Sequence, residues 1–205
     1  MPKIVMLFIF SYLLGAIPFG YLAGKLLKGI DIREYGSGNL GATNVYRTVG
    51  KITGIIVLLL DIGKGLLAVI VADSFALNGL IINRELILII AGLCAVMGHN
   101  WPLYLKFKGG KGVATSVGIF IGLAPVAMMI CIGLFVIIVA IWRYISLGSI
   151  VIALSLPLLM YYLNYGIHLT TFSAMVGIFI ILRHISNIKR LYLGTENKFG
   201  QKNQS

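Results

Sequence analysis

Long apolar runs separated by short polar and basic loops constrain the fold of this chain more than any other feature. About 20 apolar residues cross a bilayer as one helix, so the sequence predicts spans at 4–24, 52–72, 86–104, 113–124, 125–141, 146–163 and 171–184. Only 11% of the 205 residues are charged and 59% are hydrophobic, which leaves too little polar surface to coat a soluble globule. We therefore expect a single all-α integral membrane domain over residues 1–205, a bundle of about seven transmembrane helices.

Basic residues decide the expected orientation in the membrane. If the region 113–141 crosses twice, or enters the bilayer and returns, fourteen of the seventeen lysines and arginines lie on the cytoplasmic side, Lys198 and Lys202 among them. The positive-inside rule favours this distribution, whereas a single crossing would place the basic C-terminal tail outside. We therefore expect the N-terminus outside and the C-terminus in the cytoplasm. Topology explains the net charge of +11, so no nucleic-acid partner is expected.

The first polar loop, 32–44, is rich in glycine and free of proline. Its glycines allow positive φ and close backbone approach, so successive N–H groups can bind an anion. A flexible connector is the alternative, since such a loop is a weak signal by itself. The candidate phosphate-binding residues here are Ser37, Gly38, Asn39, Gly41 and Asn44.

The second polar loop, 98–112, ends in a lysine flanked by glycines immediately before the apolar run that begins at Val113. A phosphate there would meet that lysine and the N–H groups at the start of the next helix, which reinforce each other. His99 is either an interfacial or core side chain or a lining of the site. The candidate phosphate-binding residues of this segment are Lys108, Gly109, Gly110, Lys111 and Thr115, with topological anchoring the alternative for Lys108.

The third polar segment, 184–198, carries His184, Asn187 and Arg190 at intervals of three. A helix brings these side chains within an arc of about 120°, and a guanidinium suits bidentate phosphate binding. Within the second apolar run, Asp61 and Lys64 are spaced i, i+3, where unpaired charges are costly. They either neutralise each other or leave Lys64 to neutralise a substrate phosphate.

Taken together, the three loops resemble the bacterial acyl-phosphate-dependent glycerol-3-phosphate acyltransferase family over essentially the whole chain. The matching positions are Ser37, Gly38, Asn39, Gly41, Ala42, Thr43, Asn44, Asp61, Lys64, Gly65, Gly98, His99, Pro102, Phe107, Gly109, Gly110, Lys111, Gly112, Val113, Ala114, Thr115, His184, Asn187, Ile188, Arg190, Leu191, Gly194, Glu196 and Lys198. Three motifs of this length in this order do not recur by chance.

The resemblance implies transfer of a fatty acyl group from acyl-phosphate to the sn-1 hydroxyl of glycerol 3-phosphate, giving lysophosphatidic acid and phosphate. This is the first acylation of phospholipid synthesis, and the resemblance implies a separate phosphate acyltransferase that supplies the donor. It also implies a multi-pass protein of the bacterial cytoplasmic (inner) membrane. The active site is expected to face the cytoplasm, where three chain segments meet in one site.

Catalysis is expected to depend chiefly on orientation and on neutralisation of developing charge, because acyl-phosphate has a good leaving group. His184 and His99 are the candidate bases, and His184 is preferred because Asn187 and Arg190 share its face. A phosphate oxygen of a substrate is the alternative base. Ser37 as an acylated nucleophile is less favoured, since no Ser-His-Asp arrangement is evident.

Two other functions fit parts of the pattern. An organic-anion transporter also needs cationic and glycine-rich elements, but its sites lie near the bilayer midplane. A CDP-alcohol phosphatidyltransferase needs an aspartate-rich metal site, and Asp61 is the only aspartate embedded toward the cytoplasmic half. We therefore expect no metal and no cofactor.

Overall fold

A computed structural model describes residues 2–76 and 83–200, so Lys202, counted above among the cytoplasmic cations, lies outside the described residues. The described residues form α-helices joined by short loops, which confirms the predicted all-α fold. The helices are α1 (Pro2–Ala16), α2 (Phe19–Lys28), α3 (Ala42–Thr48), α4 (Lys51–Ala76), α5 (Arg84–Asn100), α6 (Val113–Leu123), α7 (Pro125–Trp142), α8 (Ile145–Tyr162), α9 (Ile167–Arg183) and α10 (Ile185–Tyr192).

Four of these helical segments are long and apolar enough to cross a membrane by themselves: α4, α5 with the turn that follows it, α7 and α8. The bent pairs α1–α2 and α9–α10 raise the number to six if each pair is one span, and α6 is a shorter apolar helix. These counts hold for the described residues and agree with a multi-pass membrane protein. The number seven and the orientation of the termini stay predictions.

Proline residues explain two of the helix breaks. The region 113–141, left open between one helix and two, is divided at Ala124, and Pro125 begins α7. Proline fits the first position of a helix because its missing N–H needs no partner there. The predicted first span, 4–24, is likewise divided at 17–18 by Pro18, and the chain bends there by 40°.

The described chain forms two compact units, one up to Gly122 and the other from Leu123 onward. In the first unit, α1 packs against α5 and α4 against α6 through glycines. A Cβ on Gly98 would collide with the carbonyl oxygen of Tyr12, and one on Gly65 with that of Thr115. Small residues let helix backbones approach closely, as is common in membrane proteins. The prediction of a single domain over 1–205 stays a prediction.

One hydrophobic cluster fixes the two polar loops of the first unit against α4. Ile32 and Leu40 come from the first loop, Val45 from α3, Val57 from α4 and Leu105 from the second loop, and all are buried. Burying a side chain of this size contributes roughly 1.5–3 kcal/mol. The cluster therefore holds the glycine-rich loop and the lysine-bearing loop close to the same part of α4.

In the second unit, α8 packs against both α7 and α9. Gly177 of α9 lies against the backbone of Ala153, and Gly148 of α8 lies against the ring of Phe135. The last span does not continue straight into the third motif, because the chain bends by 59° between α9 and α10. The bend is at His184, which ends α9 and precedes α10.

Close packing at Gly65 gives the first testable prediction. Gly65→Ala is expected to destabilise the protein by about 1–3 kcal/mol, because the added methyl group meets the backbone of Thr115 and forces α4 and α6 apart. Gly63→Ala, two residues away on α4, is the matched control. Gly63 is exposed with open space around its Cβ direction, so alanine there is expected to be neutral or stabilising by up to about 1 kcal/mol. Thermal unfolding in detergent measures both, and equal effects would contradict the packing argument.

Candidate active site

Asn44 organises the glycine-rich loop from its centre. Its two amide N–H groups are shared among the carbonyl oxygens of Ile32, Tyr35 and Asn39, which lie 3.1, 3.0 and 2.9 Å from Nδ2, and its Oδ1 accepts from the N–H of Ser37 at 2.9 Å. The side chain is buried. Asn44 was predicted to bind phosphate, but these four bonds occupy its amide group, so its role in the structure is to shape the loop.

The loop backbone has the expected left-handed geometry at two of its three glycines. Gly36 and Gly38 have φ of 60° and 68°, a conformation that favours glycine. Gly41 differs, because its φ is −70° and it precedes α3 in an extended conformation. Its N–H donates to Asn39 Oδ1 at 2.7 Å, while Ser37 is exposed on the loop surface.

The second loop folds back onto the end of α5. The N–H groups of Gly109 and Gly110 donate to the carbonyl oxygens of Asn100 and His99, both at 3.1 Å. Gly110 lies directly against Nε2 of the His99 ring, where any side chain would collide. The absence of a Cβ at Gly110 therefore lets the lysine-bearing turn reach the imidazole.

The predicted residues at the start of α6 lie in three different environments. The helix begins at Val113, as expected, and Gly112 precedes it with a φ of 80°. Lys111 is partly buried beside this helix start and Lys108 is exposed. Thr115 is fully buried and packs its backbone against Gly65, so a direct contact with phosphate requires its side chain to be uncovered.

A buried ion pair lies beneath these loops. Lys64 Nζ is 2.8 Å from Asp61 Oδ1, and both side chains are at most 3% exposed. The two charges therefore contact each other, as in the first of the two alternatives given above, and the phosphate-binding role of Lys64 stays a prediction. The same ammonium group donates to the carbonyl oxygen of Ile17 at 2.9 Å and lies 5.5 Å from the centre of the Phe19 ring. Lys64 thereby fixes the break between α1 and α2.

Asp61 also faces His99, which no sequence argument had connected to it. Nδ1 of His99 is 3.6 Å from Asp61 Oδ1, and the imidazole is 8% exposed. An acid beside one ring nitrogen favours a proton on that nitrogen, which leaves Nε2 as the acceptor. Nε2 is the atom that lies against Gly110.

One narrow pocket brings these elements together in the first unit. Its lining comes from the α1–α2 break, the first loop, α4, the end of α5 and the second loop. The lining residues are Ala16, Ile17, Pro18, Phe19, Gly20, Leu40, Asp61, Lys64, His99, Pro102 and Gly110. The first loop reaches this pocket through Leu40 and the second through His99, Pro102 and Gly110, next to the Asp61–Lys64 pair.

The third motif is organised by a carboxylate in the second unit. Glu196 Oε1 accepts from Asn187 Nδ2 at 2.6 Å and from Ser146 Oγ at 2.8 Å, and Oε2 accepts from Arg190 Nε at 2.7 Å. The Glu196 side chain is 7% exposed. Asn187 and Arg190 are thus close together, as predicted, but both bind an acid of the chain itself.

His184 lies at the bend before these residues. Its Nδ1 is 2.8 Å from the carbonyl oxygen of Ile180, and since a carbonyl oxygen only accepts, Nδ1 is the donor. In the neutral ring the acceptor nitrogen is then Nε2. His184 is buried and directly precedes α10, whereas Asn187 and Arg190 lie within that helix, so the shared face predicted for all three residues stays a prediction for His184.

A family model described as glycerol-3-phosphate acyltransferase matches residues 5–194. The chain belongs to this family. The acyltransferase is 46% identical to the glycerol-3-phosphate acyltransferase of Synechococcus sp. strain CC9902 over 98% of each chain. It is also 46% identical to that of Desulforamulus reducens, over 97% of this chain and 96% of the relative.

Two solved structures resemble the acyltransferase over nearly its whole length. Both are of PlsY (YgiH), an integral membrane glycerol 3-phosphate acyltransferase, one in a glycerol 3-phosphate form and one in a lysophosphatidic acid form. They share 40% and 39% sequence identity with TM-scores of 0.88 and 0.85, each covering 97% of this chain and 96% of the relative. The chain is therefore an acyltransferase of phospholipid synthesis, which decides against the transporter and the phosphatidyltransferase.

Sequence reasoning missed the roles of Glu196, of Ser146 and of the Asp61–His99 contact. Glu196 agrees with a family motif position, but an acid beside a predicted phosphate site suggested no role by charge alone. Ser146 lies 50 residues away from it on α8, and nothing in the sequence pairs the two. The motif match was the one signal that pointed to Glu196.

Glu196 gives the acyltransferase a testable pH dependence of stability. Burial raises the pKa of Glu196, but hydrogen bonds from Asn187, Ser146 and Arg190 outweigh burial, and the pKa lies below its ordinary value of 4.5. The folded-state pKa is the lower one, so the stabilisation is fully present above pH 4.5 and is lost as pH falls through the folded-state value. Thermal unfolding from about pH 7 to about pH 3 is expected to show a steeper loss in the parent than in Glu196→Gln.

The carboxyl group of Asp31 also has a lowered pKa, because Arg33 donates a hydrogen bond to it. It is present in both proteins and cancels from their difference. Parallel curves for the parent and Glu196→Gln would contradict the assignment to Glu196.

Proposed function

We propose that this glycerol-3-phosphate acyltransferase uses acyl-phosphate as donor and acylates the sn-1 hydroxyl, releasing phosphate and lysophosphatidic acid. The observation that carries the proposal is one pocket lined by Asp61, Lys64 and His99 together with Leu40 of the first loop and Gly110 of the second. Both substrates carry phosphate, and cations, oriented N–H groups and glycine turns are the groups that bind it. The glycerol 3-phosphate and lysophosphatidic acid forms of the solved relatives support the same acceptor and product here.

The reaction forms one bond and breaks one bond. The acceptor hydroxyl oxygen attacks the acyl carbon, the bond from that carbon to the phosphate oxygen breaks, and inorganic phosphate leaves with the electron pair. The hydroxyl proton passes to a base. Because the leaving group is a good one, positioning and charge neutralisation supply most of the expected rate enhancement.

We assign one phosphate to Ser37, Gly38 and Asn39 of the first loop with Lys111 and the start of α6. Lys111 lies where the α6 N–H groups begin, and cation and helix end attract the same anion. Arg190 and Asn187 are assigned to the other phosphate. Glu196 fixes the Arg190 guanidinium through Nε, which orients the fork that carries its other donors.

Two supporting roles follow from the contacts. Gly41, Gly109 and Gly110 give the backbone room at these sites, while Lys108 adds a cation at the surface. Lys64 lines the pocket while bonded to Asp61 and Ile17, so the charge that it offers a substrate phosphate is offset by the Asp61 carboxylate. The acyl chain of the acyl-phosphate stays in the lipid during the reaction. A separate phosphate acyltransferase supplies this donor.

We place the site at the cytoplasmic face of the bacterial inner membrane, because the basic loops follow the positive-inside rule. A cysteine at the exposed Lys189 next to the third motif tests the side. It is expected to resist a membrane-impermeant thiol reagent in intact cells and to react after lysis. Labelling in intact cells would overturn this orientation.

The donor is tested with the purified protein. Acyl transfer to glycerol 3-phosphate is expected with acyl-phosphate, with a kcat/KM on the order of 10²-fold or more above that with acyl-CoA, because the site is built for a compact phosphate leaving group. Nuclear magnetic resonance of the product identifies the acylated carbon. Equal activity with acyl-CoA would contradict the proposed donor, and an sn-2 product the proposed position.

The identity of the base is tested by replacing each histidine. His184→Ala is expected to lower kcat by about 10²-fold or more if its Nε2 accepts the proton, and the same measurement on His99→Ala tests the imidazole beside Asp61. His168→Ala is the matched control, because His168 is exposed at the start of α9. Near-normal kcat in both site variants would leave a substrate phosphate oxygen as the base. An acyl group trapped on Ser37 would overturn direct transfer.

A further inference from the structure

The segment that follows α10 pairs with the connection between α7 and α8 and with the first residues of α8. We call residues 196–199 the strap and residues 143–146 the turn. Three side-chain contacts connect them: Arg143 with Phe199, Tyr144 with Lys198, and Ser146 with Glu196. Numbers rise along the turn as they fall along the strap, so the two segments run antiparallel in a fixed register.

At one end of this pairing, Arg143 both donates hydrogen bonds to Phe199 and accepts one from it. Its Nε and one terminal nitrogen donate to the carbonyl oxygen of Phe199 at 3.2 and 3.0 Å. In return, the N–H of Phe199 donates to the carbonyl oxygen of Arg143 at 2.5 Å. Arg143 ends α7 with a φ of 62°, and this left-handed turn of the chain releases its carbonyl from the helix.

Glu196 forms the near end, where the strap reaches the third motif. One carboxylate oxygen is shared by Ser146 and Asn187, and the other accepts from Arg190. Between the two ends, Lys198 Nζ lies 5.8 Å from the centre of the Tyr144 ring, within the range of a cation–π interaction. The contacts at Arg143 therefore limit how far Glu196 can move away from Asn187 and Arg190.

We propose that Arg143 is a positioning residue of the acyltransferase, which clasps the strap onto the turn so that Glu196 holds Asn187 and Arg190 in place. Arg143 acts through the strap and does not touch substrate. The guanidinium of Arg190 keeps one orientation because its Nε is bound to Glu196. The strap that carries Glu196 is held at both ends, by Ser146 at one and by Arg143 at the other. This role rests on the proposed function, in which Arg190 and Asn187 bind a substrate phosphate.

Release of the strap is measured by limited trypsin digestion of the full-length protein in detergent. Arg143→Gln removes the guanidinium that donates to Phe199 and leaves a shorter, neutral side chain. It is expected to speed release of the peptide that begins at Phe199 by about tenfold, because cleavage follows the open population. Arg143→Lys keeps the charge but lacks the forked guanidinium, and its rate of peptide release is expected to lie between those of the parent and Arg143→Gln. Lys51→Gln, an equal charge loss at an exposed site, is expected to match the parent.

Positioning is measured by kinetics on the same proteins, after size-exclusion chromatography has isolated folded material. Arg143→Gln is expected to raise the KM for one of the two phosphate-bearing substrates severalfold, with kcat changed less and with Arg143→Lys restoring part of the loss. Combined with Glu196→Gln, its effect on KM is expected to be less than additive, since both changes release the same contacts. Combined with Lys51→Gln, the effects are expected to add.

The outcomes distinguish the clasp made by Arg143 from the proposed phosphate-binding role of Arg190. Unchanged cleavage in Arg143→Gln would overturn the clasp. Faster cleavage with unchanged KM and kcat would overturn the positioning role. If Arg190→Ala leaves both KM values unchanged, the phosphate role of Arg190 fails and the positioning role fails with it, whereas the clasp is still decided by cleavage alone.

Discussion

An ammonium group inside a helical membrane bundle has to be paired, and Lys64 is held by three neighbours at once. Asp61 supplies the opposite charge, Ile17 a carbonyl oxygen and Phe19 the face of its ring. Removing one partner of such a pair leaves a buried charge whose cost commonly reaches about 3–5 kcal/mol. The arrangement is therefore a strong constraint on where α4 lies relative to the break between α1 and α2, and the pocket is built around it.

The second unit buries a charge of the opposite sign and stabilises it in the same way, with hydrogen bonds and an opposite charge. There a carboxylate is buried, and Glu196 is held by Ser146, Asn187 and Arg190. In each unit, a cation that the sequence predicted as a phosphate ligand is already bonded to an acid of the chain: Lys64 to Asp61 and Arg190 to Glu196. A side chain that already holds a fixed partner binds an incoming anion without losing much further freedom, which is the physical benefit of preorganisation.

The sequence predicted those features of the fold that depend on residues close together in the chain. Apolar length indicated most of the helices, Pro125 marked the division of 113–141, and glycine content predicted left-handed backbone at Gly36 and Gly38. Contacts between distant segments were not readable, since Asn44 closes its loop over bonds that reach twelve residues back. Glu196 and Ser146 are separated by 50 residues and meet only because α8 and α10 pack in the folded unit.

The predicted line of His184, Asn187 and Arg190 begins at a bend of the chain. Spacing by three places residues on one face only while the helix continues, and the chain bends at His184 instead. Asn187 and Arg190, which both lie within α10, are the two that meet. The predicted proximity therefore holds for Asn187 and Arg190, and for His184 at the bend it stays a prediction.

The bond from Lys64 to the Ile17 carbonyl has a consequence for biogenesis. A chain enters the membrane from its N-terminus, so residues 17–18 emerge from the ribosome well before residue 64. Until α4 arrives, the Ile17 carbonyl lacks its cationic partner, and Lys64 in turn enters an apolar environment where an acceptor is already waiting. Pro18 interrupts the helix from the outset, and the contact that fixes the resulting bend in the assembled protein forms only after α4 has been inserted.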